Sequence, residues 1–167
     1  RTINEQYPTF GNHAVAVNHC NEAVIPVESI GGMKYELEIR AYDDGAAVRT
    51  RVELDDNLHT IAGESTAWAL PLDSDAWWAR YDHAYEKPFE SGTFDSMPVD
   101  TALSPPITFK LGEDLYVALT EANNDCFPDM GLIREGNLLR AIFPASSDGW
   151  RHRGSIVTPW RVAIIAE

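Results

Sequence analysis

"KYELEIRAYDDGAAVRTRVEL", residues 34–54, decides the fold class. Tyr35, Leu37, Ile39 and Ala41 alternate with Lys34, Glu36, Glu38 and Arg40, the two-residue period of a strand. Asp44-Gly45 follows, a pair suited to the positive backbone angles of a tight type I′ turn. On the return, Val48, Val52 and Leu54 alternate with Arg49, Arg51 and Glu53. A loop of Asp44-Gly45 sets Val48 opposite Ala41, Val52 opposite Leu37, and Arg51 opposite Glu38. The apolar faces then coincide and one cross-strand ion pair forms. A slip of one residue would mismatch both faces.

The same period recurs outward from this hairpin. Strands are predicted over Ala14–Asn18, Glu22–Val27, His59–Ile61, Thr66–Leu70 and Trp77–Tyr81. Further along they are predicted over Ile107–Leu111, Leu115–Thr120, Gly131–Arg134, Leu138–Phe143 and Arg161–Ile165. Gly31-Gly32, Gly112-Glu113-Asp114, Glu135-Gly136-Asn137 and Asp148-Gly149 supply the turns between them. No apolar stripe with helical period lasts three turns. Many short strands with frequent turns predict an all-β fold, an antiparallel β-sandwich or barrel. Glu86–Ser104, with Pro88, Gly92 and Pro98 and little periodicity, reads as a long surface loop. Neither an internal repeat nor a low-complexity linker divides residues 1–167, so a single domain is expected.

Charge narrows the function classes. A net charge of −13 is the wrong sign for a phosphate-binding or anionic-lipid surface, so neither nucleic acid nor membrane is an expected partner. No apolar run approaches the ~20 residues of a membrane-spanning helix. Cys20 and Cys126 are the two cysteines; the sequence does not decide between one disulfide and two free thiols, and free thiols are the expectation because a core of this size needs no staple. His13, His19 and Cys20 lie close together but lack a fourth ligand at zinc-motif spacing.

An ordered set of motifs spans nearly the whole chain. They are Asn21-Glu22-Ala23, "YELEIRAYDDGAAVR" at 35–49, and Gly63-Glu64 ahead of Trp68–Pro71. After the long loop come "PPITFKLGEDLYVALTEAN" at 105–123, "MGL" at 130–132, "LRAIFP" at 139–144 and "TPWRVAII" at 158–165. In this order they resemble the N-terminal domain of glycoside hydrolase family 97. The resemblance implies a partial β-super-sandwich, galactose-mutarotase-like, that packs on a (β/α)8 barrel cleaving α-glucosides or α-galactosides. It also implies a calcium ion in the active site, held by barrel carboxylates and one glutamate of the N-terminal domain. The Thr-Glu-Ala strand end puts that role on Glu121. A periplasmic or extracellular location comes with the resemblance, although no signal segment is visible.

The sequence also departs from the family pattern. Family domains are expected to carry earlier strands and a barrel with the catalytic carboxylates that residues 1–167 do not include, and glycoside hydrolysis needs two carboxyl groups at a set separation. The chain alone is therefore expected to be inactive. The alternative is a free-standing β-sandwich that binds carbohydrate or a protein partner without catalysis. Loss of the early strands would bare a sheet edge and an apolar face, which predicts a homodimer of the isolated chain.

Other candidates have plainer readings beside the functional one. Asn21, Glu22 and Asn123 could face an oligosaccharide substrate, and Asn21 could equally cap a turn. Asn123, Asn124 and Asp125 suit a polar rim around Glu121, or a turn. Glu121 itself reads as a metal ligand or as a solvated strand end. Of Trp77 and Trp78, alternation puts one ring in the core and leaves one for sugar stacking. Trp160 is expected to anchor packing. Glu64, Asp73 and Asp75 need no explanation beyond surface acidity.

Overall fold

The computed structural model describes residues 1–11, 14–146 and 148–167. His13 lies outside these residues. The strands are β1 (Thr2–Pro8), β2 (Val15–Glu28), β3 (Lys34–Tyr42), β4 (Gly45–Val52), β5 (Leu58–Ile61), β6 (Ala67–Ala69), β7 (Asp75–Arg80) and β8 (Glu90–Thr93). They continue with β9 (Leu103–Lys110), β10 (Tyr116–Ala122), β11 (Gly131–Glu135), β12 (Leu138–Ile142), β13 (Trp150–Arg153), β14 (Ile156–Val157) and β15 (Trp160–Ala166). All pairings are antiparallel, as the turn-rich pattern predicts. The principal sheet runs β1-β2-β3-β4-β15-β10-β9-β11-β12-β6, with β7 also on β9 and β14 on β4. β5 and β13 form a separate two-stranded ribbon.

β9 is flanked along one edge by β7, and along the other by β10 at Ile107–Lys110 and by β11 at Leu103. Its side chains Ile107 and Phe109 share a core with Trp78, Leu119, Leu132 and Leu139. A smaller cluster of Phe127, Phe143 and Ile156 sits under the ribbon, with Phe127 edge-on to Phe143 at 5.5 Å. Burying each such ring contributes about 1.5–3 kcal/mol.

Several expectations need correction. The hairpin forms, but its two-residue loop is Asp43-Asp44, so Ile39 faces Val48 and Glu38 faces Arg49. The register is two residues from the one expected, which preserves the match of faces. Gly45 is needed for a different reason than turn geometry: a Cβ there would clash with the carbonyl oxygen of Ala163 on β15. Arg51 accordingly stands opposite Glu36, and its Nη2 donates diagonally to Glu38 at 3.1 Å. The strands expected over Ala14–Asn18 and Glu22–Val27 are one continuous strand, β2, which begins at Val15. Glu86–Ser104 is not a surface loop. It folds back as β8 on β7 and drives Phe94, fully buried, edge-on against Phe109 at 5.4 Å.

Alternation along β3 holds, but it buries the charged side. Glu38 is 6% exposed and Ile39 37%. Glu38 accepts from Arg49 Nε at 2.6 Å as well as from Arg51, and Glu22 accepts from Arg40 Nε and Arg1 Nε, both at 2.8 Å. Arg40 and Arg49 lie 4.5 and 4.3 Å from the centre of the Trp160 ring. Two guanidinium donors per carboxylate and a cation–π contact make burial of this charge tolerable. The hydrogen bond from Arg40, aided by Arg1, holds the Glu22 carboxyl below its usual range against the opposing effect of burial. On the other face Ile25 and Ile39 are exposed, and Leu37, Val48 and Val52 line a cleft of about 700 Å³. Trp160 is the packing anchor expected of it.

Candidate functional site

Glu121 is the penultimate residue of β10, directly across from Arg161 on β15. Residues in register across a sheet point to the same face, so the arginine lies beside the carboxylate. Arg161 is 3% exposed, and its Nη1 donates to Glu121 Oε2 at 2.5 Å. Its Nε and Nη2 form a fork to Glu64 at 2.8 and 2.5 Å, from the segment between β5 and β6. Two carboxylates thus share one guanidinium, which leaves the cluster one net negative charge.

The second oxygen of Glu121 is loosely held. Asn124 Nδ2 and the Met130 N–H both approach Oε1 at 3.4 Å. The polar run after β10 is a turn that wraps this oxygen. Asn123 adopts the left-handed conformation (φ 58°), as does Cys126 (φ 57°), and Asn124 Oδ1 accepts from the Phe127 N–H at 3.3 Å. Asparagine tolerates that conformation well. Asn123 is exposed two residues from Glu121.

Three aromatic residues near this end were not singled out in the sequence. Tyr81 follows β7, and its ring meets His83 and Tyr85 edge-on at 5.5 and 6.3 Å. The Tyr81 hydroxyl is shut off from solvent, and the Asp129 carboxylate is the polar group beside it. Tyr85 is left-handed (φ 54°) and 52% exposed. Burial, followed by the nearby Asp129 carboxylate, raises both phenols above their usual value. Tyr81 and the Glu121 charge add further to the rise at Tyr85. Both therefore keep their protons at neutral pH.

The other candidates lie elsewhere. Glu22 is buried in the Arg1–Arg40 pair, and Asn21 accepts from the Thr2 hydroxyl at 3.0 Å. β2 is four strand spacings from β10, about 19 Å at ~4.8 Å each. Asp75 pairs in register with Lys110, which in turn faces Tyr116 at the opposite end of β10 from Glu121, so Glu64 and Asp75 do not converge. Trp78 is core; Trp77 is partly exposed beside Tyr116 at 6.4 Å. Both thiols are free, Cys20 buried and Cys126 exposed. Among the described residues no three His, Cys, Asp or Glu side chains group to hold a metal. Calcium takes six to eight oxygens, so these residues fit it only as a single donor, Glu121 Oε1, within a larger set. No described helix is long and apolar enough to cross a membrane.

Comparisons with known proteins agree with this architecture. A probable retaining alpha-galactosidase of Streptomyces bingchenggensis (strain BCW-1) is 26% identical over 173 residues, covering all of this chain and 26% of that protein. The solved structure of a glycoside hydrolase family 97 enzyme from Pseudoalteromonas sp. strain K8, in complex with acarbose, superposes with a TM-score of 0.84 at 23% identity. A variant of the same enzyme in complex with panose gives the same score and identity. In both, all of this chain matches 27% of the solved one, so the chain spans about a quarter of its relatives. The family model described as "Glycosyl-hydrolase 97 N-terminal" matches residues 1–167 throughout. The chain belongs to glycoside hydrolase family 97, as its N-terminal β-sandwich domain.

Proposed function

We propose that this domain packs on a (β/α)8 barrel in an α-glycoside hydrolase and lends one carboxylate, Glu121, to a calcium-containing active site. The observation that carries the reading is the shared guanidinium. Arg161 neutralises one of two glutamates and fixes Glu121 through Oε2, while Oε1 has only long contacts and a net negative charge around it. A carboxylate with one oxygen anchored and one free is suited to complete a hard-cation site. Bound calcium would supply charge stabilisation; this chain contributes orientation, since the sheet register sets where Glu121 sits. The general acid and base belong to the barrel.

The test is Glu121→Gln in the enzyme that carries both domains. Glutamine still accepts from Arg161, and Glu64 still pairs with it, so the melting temperature should barely change. Calcium affinity should fall at least about tenfold, and activity with it. Isothermal titration with calcium and turnover of a nitrophenyl α-glycoside provide the two readouts. Unchanged affinity and activity would return Glu121 to the status of a solvated strand end.

The open apolar face of β2–β4 supports a second element of the proposal. Ile25 and Ile39 are exposed beside the half-buried Leu37 and Val48 of the cleft, an apolar face of a kind that soluble monomers seldom leave bare. Expressed alone, the chain is expected to dimerise through this face or the β1 edge, because a charge of −13 opposes open-ended stacking. Sedimentation equilibrium at micromolar concentration measures this, and a clean monomer would end it.

A further inference from the structure

We infer that Tyr85, braced by Tyr81 and flanked by Asp129, is the wall against which a pyranose ring of the substrate docks beside Glu121. The assignment rests on the reading that the Glu121 end of the sheet faces an active site. Tyr81 is pinned by its N–H, which donates to the Ala102 carbonyl at 2.8 Å. From that fixed base its ring meets Tyr85 edge-on at an interplanar angle of 73°. Asp129 adjoins Met130, whose N–H points at Glu121 Oε1, so the turn that wraps Glu121 also carries Asp129.

The backbone is the decisive feature. A bulky residue at φ 54° is strained, and glycine or asparagine would hold the same turn freely. Tyr85 closes that turn by donating its N–H to the Asp82 carbonyl at 3.0 Å. Its ring joins neither core cluster. Its ring contact is with Tyr81, outside the core, and strain of this kind concentrates where a ligand is held. A flat, half-exposed ring suits the C–H face of a sugar, and the exposed Asp129 carboxylate accepts from its hydroxyls.

Tyr85→Gly in the two-domain enzyme is the test. Glycine adopts the left-handed conformation without strain, so the melting temperature should hold or rise, and any functional loss is not unfolding. KM for a nitrophenyl α-glycoside should rise about tenfold with kcat within about twofold, and calcium affinity should be unchanged. Tyr85→Phe, which keeps the ring, should retain the native KM. If Tyr85→Gly leaves KM unchanged while Glu121→Gln weakens calcium binding, this inference alone is overturned. If neither substitution has an effect, both it and the placement of the active site are wrong.

Discussion

Replacing Arg161 by methionine should lower the unfolding free energy by about 3–5 kcal/mol, the range for removing one partner of a buried ion cluster. Methionine fills much of the same space, so the loss reports charge more than a cavity. Glu64 and Glu121 would face each other without the guanidinium that now separates them. For a domain of this size the melting temperature should fall by roughly 6–20 °C. Adding Glu64→Gln and Glu121→Gln to Arg161→Met should restore most of the loss, because the repulsion is then gone. Thermal melts followed by circular dichroism measure both. A single mutant that melts within ~2 °C of the parent would show that the two carboxylates do not depend on Arg161.

Phe94→Ala is the second large effect, about 3–5 kcal/mol. The side chain is fully buried and stands perpendicular to Phe109, with Met97 beside it in the same cluster. Its segment has the composition of a surface loop, where a substitution changes stability by no more than about 0.5 kcal/mol. Urea unfolding separates the two readings. A midpoint indistinguishable from that of the parent would mean that residues 90–97 do not dock on β9.

What the sequence discloses follows from which signals are local. The β3–β4 hairpin is legible because alternation and turn residues lie within twenty positions. Its register is not, since Gly45 answers to a backbone on β15 more than a hundred residues later. The buried face of β3 misleads for a similar reason. Glu38 looks like a solvent residue until Arg49, Arg51 and the Trp160 ring close over that side of the sheet. Phe94 is hidden by Gly92 and Pro98, whose usual meaning is a turn. At the candidate site, Glu121 stands out by its motif, while its partners at 64 and 161 share no motif with it. Arg161 did carry a signal: an arginine in register with Ala163 and Ile165, inside an apolar strand, calls for a buried anion. Tyr81, Tyr85 and Asp129 carried none, because a left-handed tyrosine cannot be told from any other in a sequence.

The close approach at Gly45 also sets a timetable. β4 pairs with β15 along Gly45–Val48, yet Val48 and Arg161 are 113 positions apart in the chain (161 − 48). At 5–20 residues per second on a ribosome, β4 waits roughly 6–23 s for its neighbour to be made. Throughout that interval its hydrogen-bonding edge is open, narrowed to bare backbone at Gly45 and able to accept any passing strand. Arg49 and Arg51 pair with Glu38 as soon as the β3–β4 hairpin closes, so the buried carboxylate of β3 does not share that wait. The hairpin thus settles its own charge early, and its outer edge alone is left waiting for β15.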